Sequence, residues 1–137
     1  MKISIVIGTY RDKTLKQLDY LADSGIKPKN LDGDVVNDID LYAFRLNTDY
    51  KEIDEKFIKK LSNYDYIIIS GGETAFYILN KANFVYIENK KNIMPLISKG
   101  IVKGGILNNK RLVLKGGNIG DSDIYLKIID CIKINSF

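Results

Sequence analysis

The residues Ile67–Phe76, IIISGGETAF, constrain this chain more than any other stretch. Ile67, Ile68, Ile69 and Ser70 make a short block of apolar or small residues, the pattern of a strand buried on both faces. The block runs straight into Gly71 and Gly72, after which Ala75, Ile78 and Leu79 recur at helical spacing. A strand, a tight turn and a helix follow from that order. Without β-carbons the two glycines let the backbone take positive φ and lie against a ligand, while the helix points unpaired N–H groups at it. Such a turn suits an anion.

The same alternation runs through the rest of the chain. Lys2–Ile7 is a β-branched block closed by Gly8 and reads as a first strand. Leu15, Leu18 and Leu21 predict a helix over Thr14–Leu21, opened near Asp12 or Lys13 and stopped near Gly25. Residues 25–40 carry Pro28, the Asp32–Gly33 turn signal and several acids, and are expected to be a surface connection. Counted from Asp32, the positions where a calcium loop needs glycine and a final glutamate hold Asn37 and Ala43, so these acids read as solvated carboxylates. Leu41–Arg45 is expected to be a strand, and Asp49–Leu61 an amphipathic helix with Ile53, Phe57, Ile58 and Leu61 inward.

After the central helix, Phe84–Glu88 reads as a strand and Asn89–Asn92 as a polar patch. Ile101–Lys103 and Leu112–Lys115 read as two further strands, each followed by a glycine pair, with Asn108–Asn109 as the turn of a hairpin between them. Ile124, Leu126, Ile128, Ile129 and Ile132 give a buried helix over Ser122–Ile134, capped by Asp121 or Ser122 and with Cys131 in its core side. Strands alternating with helices predict one α/β layered domain over residues 1–137, Rossmann-like, with a mostly parallel sheet flanked by helices.

Composition narrows the function. With 137 residues, 45% of them hydrophobic, the chain is long enough to bury a real core. The net charge of +4 is small and its lysines are scattered among acids, which describes a solvated face rather than a nucleic-acid surface. No histidine and one cysteine leave no Ser-His-Asp or Cys-His nucleophile, no His or Cys zinc site and no intrachain disulfide. The apolar run in MKISIVIGTY is too short for a signal peptide or a membrane span, so a cytoplasmic protein without a membrane partner is expected.

In parallel sheets ligands bind beyond the carboxyl ends of the strands, and three loops are expected to meet there: GTYRDKT (8–14), SGGET (70–74) and KGGNIG (115–120). Neither GxxxxGK[ST] nor GxGxxG occurs. Taken singly, a glycine pair after a strand is explained as well by a turn as by a ligand. Two such loops in one small α/β domain tilt the balance toward binding. The hydroxyls of the first loop can hold phosphate or cap the following helix, and their spacing alone favours capping.

Taken together, GTYRDKTLKQL, IIISGGETA and LVLKGGNIGDSD resemble the C-terminal, nucleotide-binding domain of the four-carbon acid sugar kinase family, with its G-S-x-S-x-x-T-x-x-Q start, GG[DE]TA centre and K-S-G-N-F-G loop. Gly8, Thr14 and Gln17 match the first motif, with Thr9 for its first serine and Arg11 for its second. Gly71, Gly72, Glu73, Thr74 and Ala75 match the second throughout. Lys115, Gly117, Asn118 and Gly120 match the third, with Gly116 for serine and Ile119 for phenylalanine. Where the family tends to have PGVP, this chain has Pro95, Leu96, Ile97 and Ser98.

The resemblance implies binding of ATP with Mg²⁺, contacted at Thr9, along Gly71, Gly72, Glu73 and Thr74, and at Gly117. Backbone N–H groups, threonine hydroxyls and Lys115 as a point charge suit phosphoryl transfer, where the protein chiefly positions groups and offsets charge. Glu73 either meets Mg²⁺, takes a ribose hydroxyl or points away and favours the helix N-terminus, and Lys115 is either a phosphate ligand or a surface lysine. The family's D-D-x-T-G-A half, which supplies sugar binding and a base, has no counterpart here. The resemblance therefore implies a kinase subunit incomplete alone, phosphorylating a tetronate-like sugar acid only with a separately encoded sugar-binding chain or as a homo-oligomer. The alternatives are a non-catalytic nucleotide or anion sensor, and a domain whose glycines serve turns alone.

Overall fold

The computed structural model describes residues 1–8, 12–33, 35–44 and 53–135. Among them six strands form one sheet: β1 (Ile3–Ile7), β2 (Ile39–Ala43), β3 (Tyr66–Ser70), β4 (Tyr86–Met94), β5 (Ile97–Lys103) and β6 (Arg111–Lys115), in the spatial order β2-β1-β3-β6-β5-β4. The first four positions in that order are parallel, while β5 runs antiparallel to β6 and β4 antiparallel to β5. Four helices flank the sheet: α1 (Asp12–Asp23), α2 (Glu55–Leu61), α3 (Gly72–Lys81) and α4 (Ile124–Asn135). The architecture is the α/β layered one that the alternating pattern predicts.

Side chains alternate between the two faces of a strand, so each face gathers its own core. Ile3, Ile5, Ile7, Tyr66, Ile68 and Val113 face the layer of α1 and α4, where Leu21, Ile128 and Ile132 meet them. Val6, Tyr42, Ile67, Ile69 and Leu112 face α2 and α3 and meet Phe57, Leu61, Ile78 and Leu79. β1 and β3 are buried along their whole length, which explains why both read as unbroken apolar runs.

Several elements differ from the sequence expectation. β2 starts two residues early and takes in Asp40, which is buried rather than solvated. Its carboxylate accepts hydrogen bonds from the Tyr64 hydroxyl at 2.6 Å, the Asn37 backbone N–H and side-chain amide at 2.9 Å each, and Lys29 at 3.3 Å. Burial alone raises its pKa, but these donors outweigh burial and hold it below the usual carboxylate value. α2 starts only at Glu55, capped by the Asp54 carboxylate, which accepts from the Phe57 N–H at 2.9 Å; Ile53 is buried ahead of it, and residues 49–52 lie outside the described ones. β4 continues through the polar patch to Met94 as an edge strand, and β5 begins at Ile97. Asn108 and Asn109 do lie in the connection between β5 and β6, and Asp121 contributes its carbonyl to the Ile124 N–H at the start of α4. Cys131 is half-buried.

Candidate functional site

The pairing of β1, β3 and β6 brings the three glycine loops to one place. Ile7 lies beside Ser70 and Ser70 beside Lys115, so the three strands end in one row. The loops are tied across that row: the Gly8 N–H donates to the Ser70 carbonyl at 3.2 Å and the Gly71 N–H to the Lys115 carbonyl at 3.0 Å. Gly8 packs so tightly on α3 that a β-carbon there would sit 1.7 Å from Thr74 Oγ1, which explains the glycine without any ligand.

Gly71 caps α3 with φ 102°, a conformation open to glycine, and no side chain caps the helix. The first intrahelical bond runs from the Ala75 N–H to the Gly71 carbonyl, leaving the N–H groups of Gly72, Glu73 and Thr74 without intrahelical partners. Gly72 is the first helical residue, and a β-carbon on it would meet nothing within 4 Å. Glu73 is exposed in the first turn, where its charge favours the helix N-terminus. Thr74 is fully buried and its hydroxyl has no hydrogen-bond partner.

Lys115 is not a surface lysine. It is 2% exposed and turns into the face of α4, with Nζ donating to the Gly116 carbonyl at 2.7 Å and to Ser70 Oγ at 3.3 Å, over the Tyr125 ring at 5.3 Å. An ammonium has three donors, so one is left over, and among the described residues no carboxylate pairs with it. Burial, and then repulsion from Lys13, push its pKa down to about 8. The Tyr125 phenol below it is raised by burial and partly offset by Ser70, which lies near its hydroxyl but not in hydrogen-bonding geometry.

α1 holds the third loop from the side. Thr14 Oγ1 donates to the Gly117 carbonyl at 2.8 Å, and Gln17 Nε2 to the carbonyls of Ile119 and Gly120 at 3.0 Å each. With their carbonyls engaged by α1, these peptides are fixed against the helix. Thr9 and Arg11 lie outside the described residues.

On the α3 side of the strand ends lies a cavity of about 370 Å³. Ile69, Ala75, Leu79 and Leu114 form its apolar walls, Gly71, Gly72 and Gly116 one end, and Phe76 and Leu96 its rim. Glu73, Thr74 and Gly117 do not line it. A second cavity, about 410 Å³, lies between the loop at 29–32 and α2, lined by Lys29, Asp32, Asp54, Lys56 and Lys60 among others. Among the described residues it has no glycine turn and no row of strand ends. Among the described residues no group of acids, histidines or cysteines could hold a metal ion, and no helix is long and apolar enough to cross a membrane.

The sequence pattern locates Ser70, Gly71, Gly72, Glu73, Thr74 and Gly117 at this end of the sheet, but it does not reveal Tyr125 or Phe76 as part of it. Tyr125 reads as one more residue of an apolar helix, and only its place under Lys115 distinguishes it.

Fold and site together define an α/β domain with an uncapped helix, a buried unbalanced cation and an open cavity at the ends of its central strands. Solved structures share the fold. A domain of unknown function, DUF1537, from Bordetella bronchiseptica, crystallised with citrate as a domain-swapped dimer in two crystal forms, gives a TM-score of 0.74 in both at 13% and 17% identity, over 96% of this chain and 41% and 39% of that one. A DUF1537 protein from Haemophilus influenzae gives 0.65 at 14% identity, over 95% of this chain and 40% of that one. A Salmonella typhimurium LT2 protein provisionally named as a tRNA synthase gives 0.64 at 11%, over 93% and 39%. At these identities the likeness shows the fold alone, and the chain spans about two fifths of the length of each. No protein-family model and no curated protein matches the sequence.

Proposed function

We propose that this chain binds Mg-ATP at the ends of β1, β3 and β6, as the nucleotide-binding part of a kinase for a tetronate-like sugar acid. The observation that carries this reading is the in-register row Ile7, Ser70, Lys115, which gathers three glycine loops beside the uncapped N-terminus of α3. The free N–H groups at the start of α3 and an unbalanced Lys115 are donors that suit an anion, and a bound phosphate would offset the buried charge. Mg²⁺ is bound chiefly by the phosphates with one or two carboxylates, so Glu73 alone suffices from this chain. The motif resemblance supports ATP and the sugar acid, and DUF1537, the domain of that kinase family, supplies the solved neighbours.

The acceptor-binding half is then supplied elsewhere, by a separately encoded chain or by a second copy in a homo-oligomer. One observation favours a second reading, a nucleotide or anion sensor without chemistry: among the described site residues Glu73 is the one carboxylate, and it is exposed. A base for the acceptor hydroxyl is therefore not at hand.

Calorimetric titration with Mg-ATP and a non-hydrolysable analogue tests the binding. Gly72→Phe is the companion variant, because its side chain enters open space and spares the fold. Micromolar binding lost in Gly72→Phe, with an unchanged melting temperature, supports the reading; equal affinity in both proteins, or none in either, sinks it. Phosphate transfer on adding a sugar-binding chain separates kinase from sensor.

A further inference from the structure

We propose that Leu96, with Phe76, forms a clamp that closes the cavity on the flat base of the nucleotide, making Leu96 a specificity-determining residue. This rests on the nucleotide reading above. β4 and β5 are joined by a two-residue turn, Pro95–Leu96, between the paired residues Met94 and Ile97. Pro95 fixes its own φ near −65°, and the next residue of such a turn needs positive φ, a place for glycine or asparagine. Leu96 occupies it with φ 61°. A bulky residue held there is strained.

Strain is tolerated in cores where packing compensates, but Leu96 is 71% exposed. The fold thus carries an exposed leucine in a conformation that opposes it, and neither cost is recovered by packing within the chain. Strained residues with this profile gather at ligand clamps. Across the cavity mouth stands a second unrecovered cost, Phe76, 70% exposed on the first turns of α3. Both line the same cavity, whose apolar walls begin where the glycine turn ends.

The occupant follows from what lies at each end. At one end is the glycine turn with the free N–H of Gly72, for the anionic part of a ligand. At the rim are an aromatic ring and a branched aliphatic chain, the surfaces that sandwich a planar ring, with Ser98 beside them for an edge hydrogen bond. The volume of about 370 Å³ falls in the range of small-molecule pockets, about 300–1,000 Å³, and is too large for a phosphate alone. A purine nucleotide satisfies both ends.

The test sets stability against affinity. Leu96→Gly and Leu96→Asn both suit the observed φ, and Asn avoids the added freedom of glycine. Calorimetry with ATP and with inorganic tripolyphosphate, beside thermal melts, is run on the native chain, both variants and Phe76→Ala. We expect the Leu96 variants to melt at the same or a higher temperature, to bind ATP about tenfold more weakly, as expected for losing one apolar contact surface, and to bind tripolyphosphate unchanged. Phe76→Ala is expected to lose ATP affinity in the same way. Native ATP binding that no variant alters overturns the clamp and leaves the nucleotide reading standing. Equal losses for ATP and tripolyphosphate, or lower melting temperatures in both Leu96 variants, show a structural turn and overturn it too. No ATP binding by the native chain removes both.

Discussion

Replacing Lys115 with methionine measures the electrostatic state of the site directly. The folded chain pulls this lysine from 10.5 down to about 8, because burial, and then Lys13, oppose its charge. The unfolded chain keeps the ordinary value. Between pH 8 and 10.5 the unfolded state therefore holds a proton that the folded state has shed, and the stability of the native protein rises with pH across that window. Below pH 8 the folded chain carries the whole cost, which at about 1.4 kcal/mol per unit comes to about 3 kcal/mol. Methionine keeps the length of the side chain and removes the charge, but it leaves the Gly116 carbonyl without its donor, a loss of about 1 kcal/mol. Lys115→Met is thus expected to be about 2 kcal/mol more stable than the native chain at pH 7, an advantage that shrinks steadily toward pH 10. Urea unfolding of both proteins at pH 7, 8, 9 and 10 gives the difference curve. The buried Tyr42, Tyr64 and Tyr125 titrate high in both proteins and weigh little on the difference below pH 10. A difference that stays flat from pH 7 to 10 would mean that Lys115 is solvated, and the picture of a buried cation waiting for an anion would go with it.

Three further outcomes follow from contacts described above. Gly8→Ala places a β-carbon 1.7 Å from Thr74 Oγ1 and 2.7 Å from Thr74 Cβ, so α3 must shift; a loss of about 1–3 kcal/mol is expected from urea midpoints, and an unchanged midpoint refutes the close packing. Gln17→Leu frees the carbonyls of Ile119 and Gly120, and hydrogen exchange should quicken at residues 116–120, whereas native-like protection would show that Gln17 does not hold the loop. Tyr64→Phe removes the hydroxyl that meets Asp40 at 2.6 Å and Tyr42 at 2.7 Å, and should cost about 2 kcal/mol at pH 7. Because the folded state holds the Asp40 pKa low, that difference should narrow as acid protonates the carboxylate; a difference independent of pH rules out the charge-assisted bond.

The sequence discloses the centre of this fold better than its edges. β1, β3 and β6 are buried on both faces, so their apolar runs are legible, and the glycine pair after β3 marks the turn into α3. β4 is an edge strand, largely solvated along Asn89–Asn92, and a strand without a buried face leaves no alternation to read. The helix expected over Asp49–Leu61 is shortened because Asp54 caps it, and Ile53 packs inward from outside the helix. Charge misleads: Lys115 at the site and Asp40 on β2 are among the types expected at the surface, and each is buried by partners distant in sequence. The side chain of Leu96 gives no sign of its positive φ; only the glycine that the PGVP of the resembled family sets at this place would announce it.

The position of β6 has a consequence for how the protein is made. β6 is the last of the described strands in chain order, yet it lies between β3 and β5. A nascent chain released only as far as β5 holds two separate pieces, the β2-β1-β3 block and the β4-β5 hairpin, with the edge of β3 open to any other strand. When Arg111–Lys115 emerges it joins the two pieces in a single step and delivers the buried cation to the row of strand ends. The row of strand ends is therefore complete only once β6 has paired, and the interval before it is this domain's period of greatest exposure to misassembly with other unfinished copies.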